Sequence, residues 1–88
     1  MTVAPQLEPL DNRAPLYGLR VRLETDRKCK CGSDIAIVGT GHAPHAAELR
    51  CGRCGAHRAW LSHRTANWIT TVMSKFGPPT TPIILRRW

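Results

Sequence analysis

Eighty-eight residues bound the chain to one small domain, and a formal net charge of +7 favours an anionic partner. A core of this size buries too small a share of its surface to be comfortably stable, so a metal is the expected supplement. No apolar run approaches membrane-spanning length, and Met1–Glu8 has neither a basic nor an apolar leader region. A soluble, cytoplasmic chain with reduced cysteines and no membrane partner is the expectation.

Pro5, Pro9 and Pro15 punctuate residues 1–15, which read as an extended or disordered arm. The compact domain is expected over 16–76, with 77–88 as an extended tail. Leu19, Val21 and Leu23 alternate with Arg20, Arg22 and Glu24, predicting a strand over Gly18–Thr25 with one apolar face. Asp34–Val38 reads as a second, mostly buried strand, and Gly39–His45 as an irregular connection. Ala46–Cys51 returns as a strand with Ala47 and Leu49 on one face and Glu48 and Arg50 on the other. Ala56–Leu61 is the last strand of the set, and simple alternation puts Arg58 and Trp60 on one face of it. Ser62 caps a helix over His63–Phe76, in which Thr65, Trp68, Ile69, Val72, Met73 and Phe76 form one stripe. Burial is expected of Ile69, Val72, Met73 and Phe76. Gly77-Pro78-Pro79 stops the helix. The apolar tail Thr81–Trp88, with its basic, aromatic tip, is suited to adding a strand to a sheet edge in this molecule or a neighbour.

Between these elements lie Cys29-Lys30-Cys31-Gly32 and Cys51-Gly52-Arg53-Cys54-Gly55, nineteen residues apart. Four thiols grouped two and two across a hairpin-sized gap supply what a tetrahedral Zn²⁺ requires, and the glycines free backbone amides to point at sulfur. The first pair is one residue shorter than the usual CxxC. The alternative ligand set replaces one cysteine by His42, His45 or His57. A thioredoxin-type reading of Cys51–Cys54 needs a helix directly after the motif, and a strand pattern follows instead. Disulfides require an oxidising compartment.

Knuckle, strand pair, knuckle and third strand resemble the zinc-ribbon fold over residues 28–61. A narrower resemblance, to small bacterial and prophage-borne zinc-ribbon proteins, runs through Pro44–Cys51, Cys54–Leu61, Phe76–Thr80 and Pro82–Arg86. With the strand over Gly18–Thr25 and the capped helix, the expected fold is a small metal-stabilised α+β domain, a zinc-ribbon antiparallel sheet of three to four strands with one C-terminal helix. Zinc ribbons serve both nucleic-acid machines and protein adaptors, so the resemblance points to fold more than to function.

Catalysis is not expected. Four cysteines leave a metal no open position for water. His45, Glu48, Cys51 and Cys54 carry the residue types of a zinc deaminase at the wrong spacing, with Glu48 only three residues before Cys51. Charge points elsewhere. Residues 1–48 hold six Lys/Arg and six Asp/Glu, whereas 49–88 hold seven Lys/Arg and no acid. A zinc tetrathiolate carries −2, which brings the +7 to about +5. The leading expectation is weak binding of nucleic acid without strong sequence preference, single strands ahead of duplex. Arg53, Arg58 and Arg64 are the candidate phosphate contacts, and His57 and Trp60 the candidate stacking partners. Trp60 has a second reading, as a core residue under the helix. The alternative function is a protein-interaction module or inhibitor that docks on a larger nucleic-acid-processing or host-defence complex.

Overall fold

The structure, a computed structural model, describes residues 14–88. The arm expected over residues 1–15 therefore lies mostly outside the described residues. Its end, Ala14–Leu16, forms a single 3-10 turn that drives Leu16 into full burial.

Five strands follow the alternation of the sequence: β1 (Arg20–Leu23), β2 (Ile35–Thr40), β3 (Ala47–Cys51), β4 (His57–Leu61) and β5 (Ile83–Leu85). One helix, α1 (His63–Phe76), lies between β4 and β5. The sheet order is β4-β3-β2-β1-β5. Its first four strands pair antiparallel, and β5 joins β1 in parallel, with Val21 opposite Ile83 and Leu23 opposite Leu85. The small α+β architecture matches the expectation, and the tail contributes a fifth strand to it.

One face of this sheet is apolar because each strand offers its alternate residues to it. Val21, Leu23, Ala36, Val38, Ala47, Leu49, Leu61 and Leu85 are buried there with Leu16, and α1 covers them with Ala66 and Ile69. Burying an aliphatic side chain contributes about 1.5–3 kcal/mol relative to exposure, so a dozen small ones make a modest core.

Gly39 and Thr40, expected in the connection, instead continue β2 opposite Glu48 and Ala47. The chain turns only at Gly41, where an added Cβ would lie 2.7 Å from the Ala47 Cα. Glycine is needed there for that approach. The Ala43–Pro44 bond in this loop is cis.

Helix α1 starts where the sequence puts it. The Ser62 hydroxyl accepts a hydrogen bond from the Thr65 amide at 3.2 Å, and at the far end the Gly77 amide donates to the Met73 carbonyl at 2.8 Å. Its buried line differs from the predicted stripe. Ala66 and Ile69 are fully buried and Met73 partly, but Phe76 is 81% exposed and Trp68 53% exposed. Small Ala66 faces the sheet and lets the helix approach it closely. The bulky Trp68 is displaced to the flank, and Phe76 overhangs the end of the covered face. Val72 is half-buried. The expected burial thus holds for Ile69 alone in full and fails for Phe76.

Candidate metal centre

The first cysteine pair lies in the loop joining β1 to β2, and the second begins at the last residue of β3. In the first turn the Gly32 amide donates to the Cys29 carbonyl at 2.8 Å, and in the second the Gly55 amide donates to the Cys51 carbonyl at 3.0 Å. Both glycines take positive φ, +87° and +80°, a conformation a side chain would strain. Gly52 donates its amide to the Ile35 carbonyl at 2.9 Å, which ties the second turn to the start of β2. Since β2 pairs with β3, with Ala36 opposite Cys51, the two turns meet at one end of the sheet.

All four sulfurs lie within 4.8 Å of one another. They approach crosswise, with Cys29 Sγ 3.4 Å from Cys54 Sγ and Cys31 Sγ 3.4 Å from Cys51 Sγ. These separations far exceed the ~2.05 Å of a disulfide, and the four thiols are free. The shortened Cys29-Lys30-Cys31 turn therefore still brings both sulfurs to one centre. The site is graded in exposure: Cys51 is buried, Cys29 and Cys31 are half-buried, and Cys54 is exposed.

Backbone amides prepare the cluster for ionisation. The Cys54 and Arg53 amides, the latter at 3.4 Å, draw the Cys51 thiol down to about 6. The Cys31 amide, then the Cys54 thiol, lower Cys29. At Cys54 the Ala56 amide acts in the same direction, but the crowding of Cys29 and Cys51 prevails and raises the thiol to about 11. Thiolates held this close would repel one another, and a bound metal ion would supply the compensating cation. Among the described residues this is the one group of three or more metal-ligating side chains close enough to share an ion.

The histidines considered as alternative ligands lie elsewhere. His45 stacks on Trp60 with ring centroids 4.6 Å apart and planes 9° from parallel. His42 meets the same indole edge-on at 5.0 Å, and His57 lies at 4.9 Å. Trp60 is half-buried in this cluster and stands opposite Glu48 in the β3–β4 register.

A β-bulge explains how His57 comes to join Trp60. Leu49 pairs with Ala59 while the adjacent Arg50 pairs with His57, so Arg58 is the extra residue. The shift moves His57 onto the face of Glu48 and Trp60, where its Nδ1 lies 2.6 Å from Glu48 Oε2. That hydrogen bond, and next the one from Arg50 Nε at 2.9 Å, hold the Glu48 carboxyl below its usual range. Simple alternation placed Arg58 beside Trp60, and the bulge corrects this. The Arg58 guanidinium turns to the first cysteine loop and donates to the carbonyls of Arg27 at 2.6 Å and Ser33 at 3.3 Å. Arg53 reaches the Cys31 carbonyl at 3.5 Å.

The five residues expected to contact nucleic acid thus fall into three groups. Arg53 and Arg58 strap the cysteine loops together, His57 and Trp60 belong to the outer-face ring cluster, and Arg64 projects from α1. Arg64 lines a cleft of about 850 Å³ between α1 and β5 with Trp68, Ile84, Arg87 and Trp88, none of which the sequence marks as a ligand contact. Two signals for it were present: Arg64 and Trp68 are four apart on one helix, and the chain closes on Arg86-Arg87-Trp88.

No known protein family, no curated protein and no solved structure matches this chain. The architecture and the cysteine centre define it as a small α+β domain built around a candidate metal site. Among the described residues no helix is long and apolar enough to cross a membrane.

Proposed function

We propose that this is a zinc-stabilised, non-enzymatic protein of the zinc-ribbon type that binds single-stranded nucleic acid with little sequence preference. Zinc is favoured by the donor set, since four thiolates suit a soft ion in a closed tetrahedral site. Zn–S bonds of ~2.3 Å imply sulfur–sulfur edges near 3.8 Å. The spread of 3.4 to 4.8 Å brackets that edge. A closed site supports folding and offers a substrate no coordination position.

The observation that carries the nucleic-acid reading is unpaired positive charge. Among the described residues the acids Glu24, Asp34 and Glu48 sit in ion pairs and Asp26 does not, while of the basic residues Arg64, Lys75 and Arg87 form none. Cations without an internal carboxylate attract an external polyanion, and such attraction weakens with salt. The test is a salt series with a random single-stranded oligonucleotide and a duplex of the same length, read by anisotropy. Binding to the single strand that falls with salt is expected. No binding at low salt would exclude nucleic acid.

A second reading rests on β4, which lies at one edge of the sheet. An exposed edge can accept a strand from another protein. This would make the chain an interaction module, possession of a protein partner surviving nuclease treatment in a pull-down.

A further inference from the structure

Within the nucleic-acid reading, on which this step rests, we infer that the cleft between α1 and β5 is the site that holds the single strand. Bases stack on Trp68 and Trp88, and phosphates meet Arg64 and Arg87.

Two rings of opposite situation meet there. Trp68 is 53% exposed, so its ring is open to a ligand. Trp88 is half-buried and packs against the core, so its ring is held in place before any ligand arrives. Ile84, also 53% exposed, adds apolar surface between the strand and the helix. The volume of about 850 Å³ falls in the ~300–1,000 Å³ range of sites that enclose small ligands.

Charge selects among occupants. Arg64 lies one helical turn from Trp68, so a guanidinium and an indole share one helix face. Arg86 and Arg87 come from the tail. Glu24 is the one acidic residue lining the cleft, and it is bound to Arg86 Nε at 2.6 Å. Arg64 and Arg87 have no carboxylate partner among the described residues. An acidic peptide would satisfy the arginines and leave both indoles without planar partners. A nucleic-acid strand satisfies both, since every base has a π-face and every linkage a charge. In a duplex the faces of the bases are already stacked on one another, so a single strand is the better fit. The same argument gives low sequence preference.

Trp60 makes the contrast. His45 already stacks on it, and the carboxylate of Glu48 stands beside the cluster. Glu48 already engages Arg50 and His57, so neither is left free beside that ring to meet a phosphate.

The test uses the full zinc-loaded chain and labelled oligo-deoxythymidine of about eight nucleotides, within the ~4–16 of known single-strand sites. Trp68→Ala should weaken binding about tenfold or more, with zinc content and melting temperature unchanged. Trp88→Phe should weaken it less while keeping the packing. The Arg64→Ala, Arg87→Ala double variant should weaken binding and flatten the salt slope by about 1–2. Arg20→Ala, on the outer face of the sheet, should leave binding nearly unchanged. In Trp60→Phe protein the remaining indole fluorescence should be quenched as the oligonucleotide saturates. If the parent binds and the cleft variants bind equally well, the site is elsewhere and the nucleic-acid reading survives. If the parent does not bind at low salt, that reading falls, and the site with it. If polyglutamate binds the parent as tightly as the oligonucleotide does and Trp68→Ala changes neither, stacking is overturned and the cleft is a site for acidic chains.

Discussion

The two ends of this molecule are both rich in arginine, and they use it in opposite ways. At the cysteine end Arg50 holds Glu48 and reaches the Gly55 carbonyl, Arg53 reaches the Cys31 carbonyl, and Arg58 bridges the carbonyls of Arg27 and Ser33. At the helix–tail end Arg64 and Arg87 meet no carboxylate among the described residues, and exposed aromatic surface lies beside them. The first set holds loops around a centre that is anionic once its thiolates bind a divalent metal. The second set is free to act outside the molecule. Net charge counts both alike, so an excess of +7 overstates what an external anion would feel.

If the cysteine end is structural, breaking it should have the largest effect of any change. Cys51→Ser removes the one buried ligand, and binding energy at such a site is largely folding energy. The variant is expected to lose its cooperative thermal transition, and a strong chelator should do the same to the parent. Elemental analysis of the parent should find about one zinc per chain, as one closed tetrahedral site requires. A parent that melts identically with and without chelator would remove the metal from the account and the comparison with it.

The helix gives the next test, because it separates residues that the sequence groups together. Ile69→Ala, at a fully buried position, should lower stability by about 2–5 kcal/mol in denaturant unfolding. Phe76→Ala, at a position 81% exposed, should stay within about 0.5 kcal/mol of the parent. Equal losses would mean that α1 sits on the sheet as the six-residue stripe predicted.

That pair also shows where the sequence was informative. Alternation and capping located β1, β3, β4 and both ends of α1, because period and cap chemistry are local properties. The cysteine centre was legible because thiol spacing limits the reachable geometries. Three features depend on contacts between distant residues, which local pattern alone does not assemble. The bulge at Arg58 reverses which residue faces Trp60, and it arises from pairing with β3. The exposure of Phe76 depends on where the sheet ends beneath the helix. The cleft forms only because β5 pairs with β1 and carries the tail back to the start of α1. Alternation therefore presents Arg58 as a ligand contact, whereas its partners are carbonyls.

Arg58 supplies the third test. Arg58→Ala leaves the Arg27 and Ser33 carbonyls without their donor, and hydrogen bonds to charged groups are worth about 1.5–3 kcal/mol. With Arg27 at the surface, a stability loss of about 1–2 kcal/mol is expected by chemical denaturation. The folded variant should bind oligonucleotide as the parent does. Weakened binding with unchanged stability would place Arg58 among the free cations and erase the distinction between the two ends.

The smallest effect on stability is expected from Arg64→Ala, and for that reason it is the most specific test of the other end. Arg64 is exposed on the first turn of α1, and no ion pair among the described residues depends on it. A cation near a helix N-terminus also opposes the macrodipole by a few tenths of a kcal/mol, so its removal should leave stability unchanged or slightly raised. Binding should move the other way. Losing one phosphate contact reduces the slope of log K against log salt by about 0.7 for a single strand. Folding energy and affinity would then respond with opposite signs to the same substitution, which a structural arginine cannot produce. Salt titrations of Arg64→Ala and Arg58→Ala, each paired with a denaturant melt, would place the two residues in opposite quadrants if the two ends differ as described, and in the same quadrant if they do not.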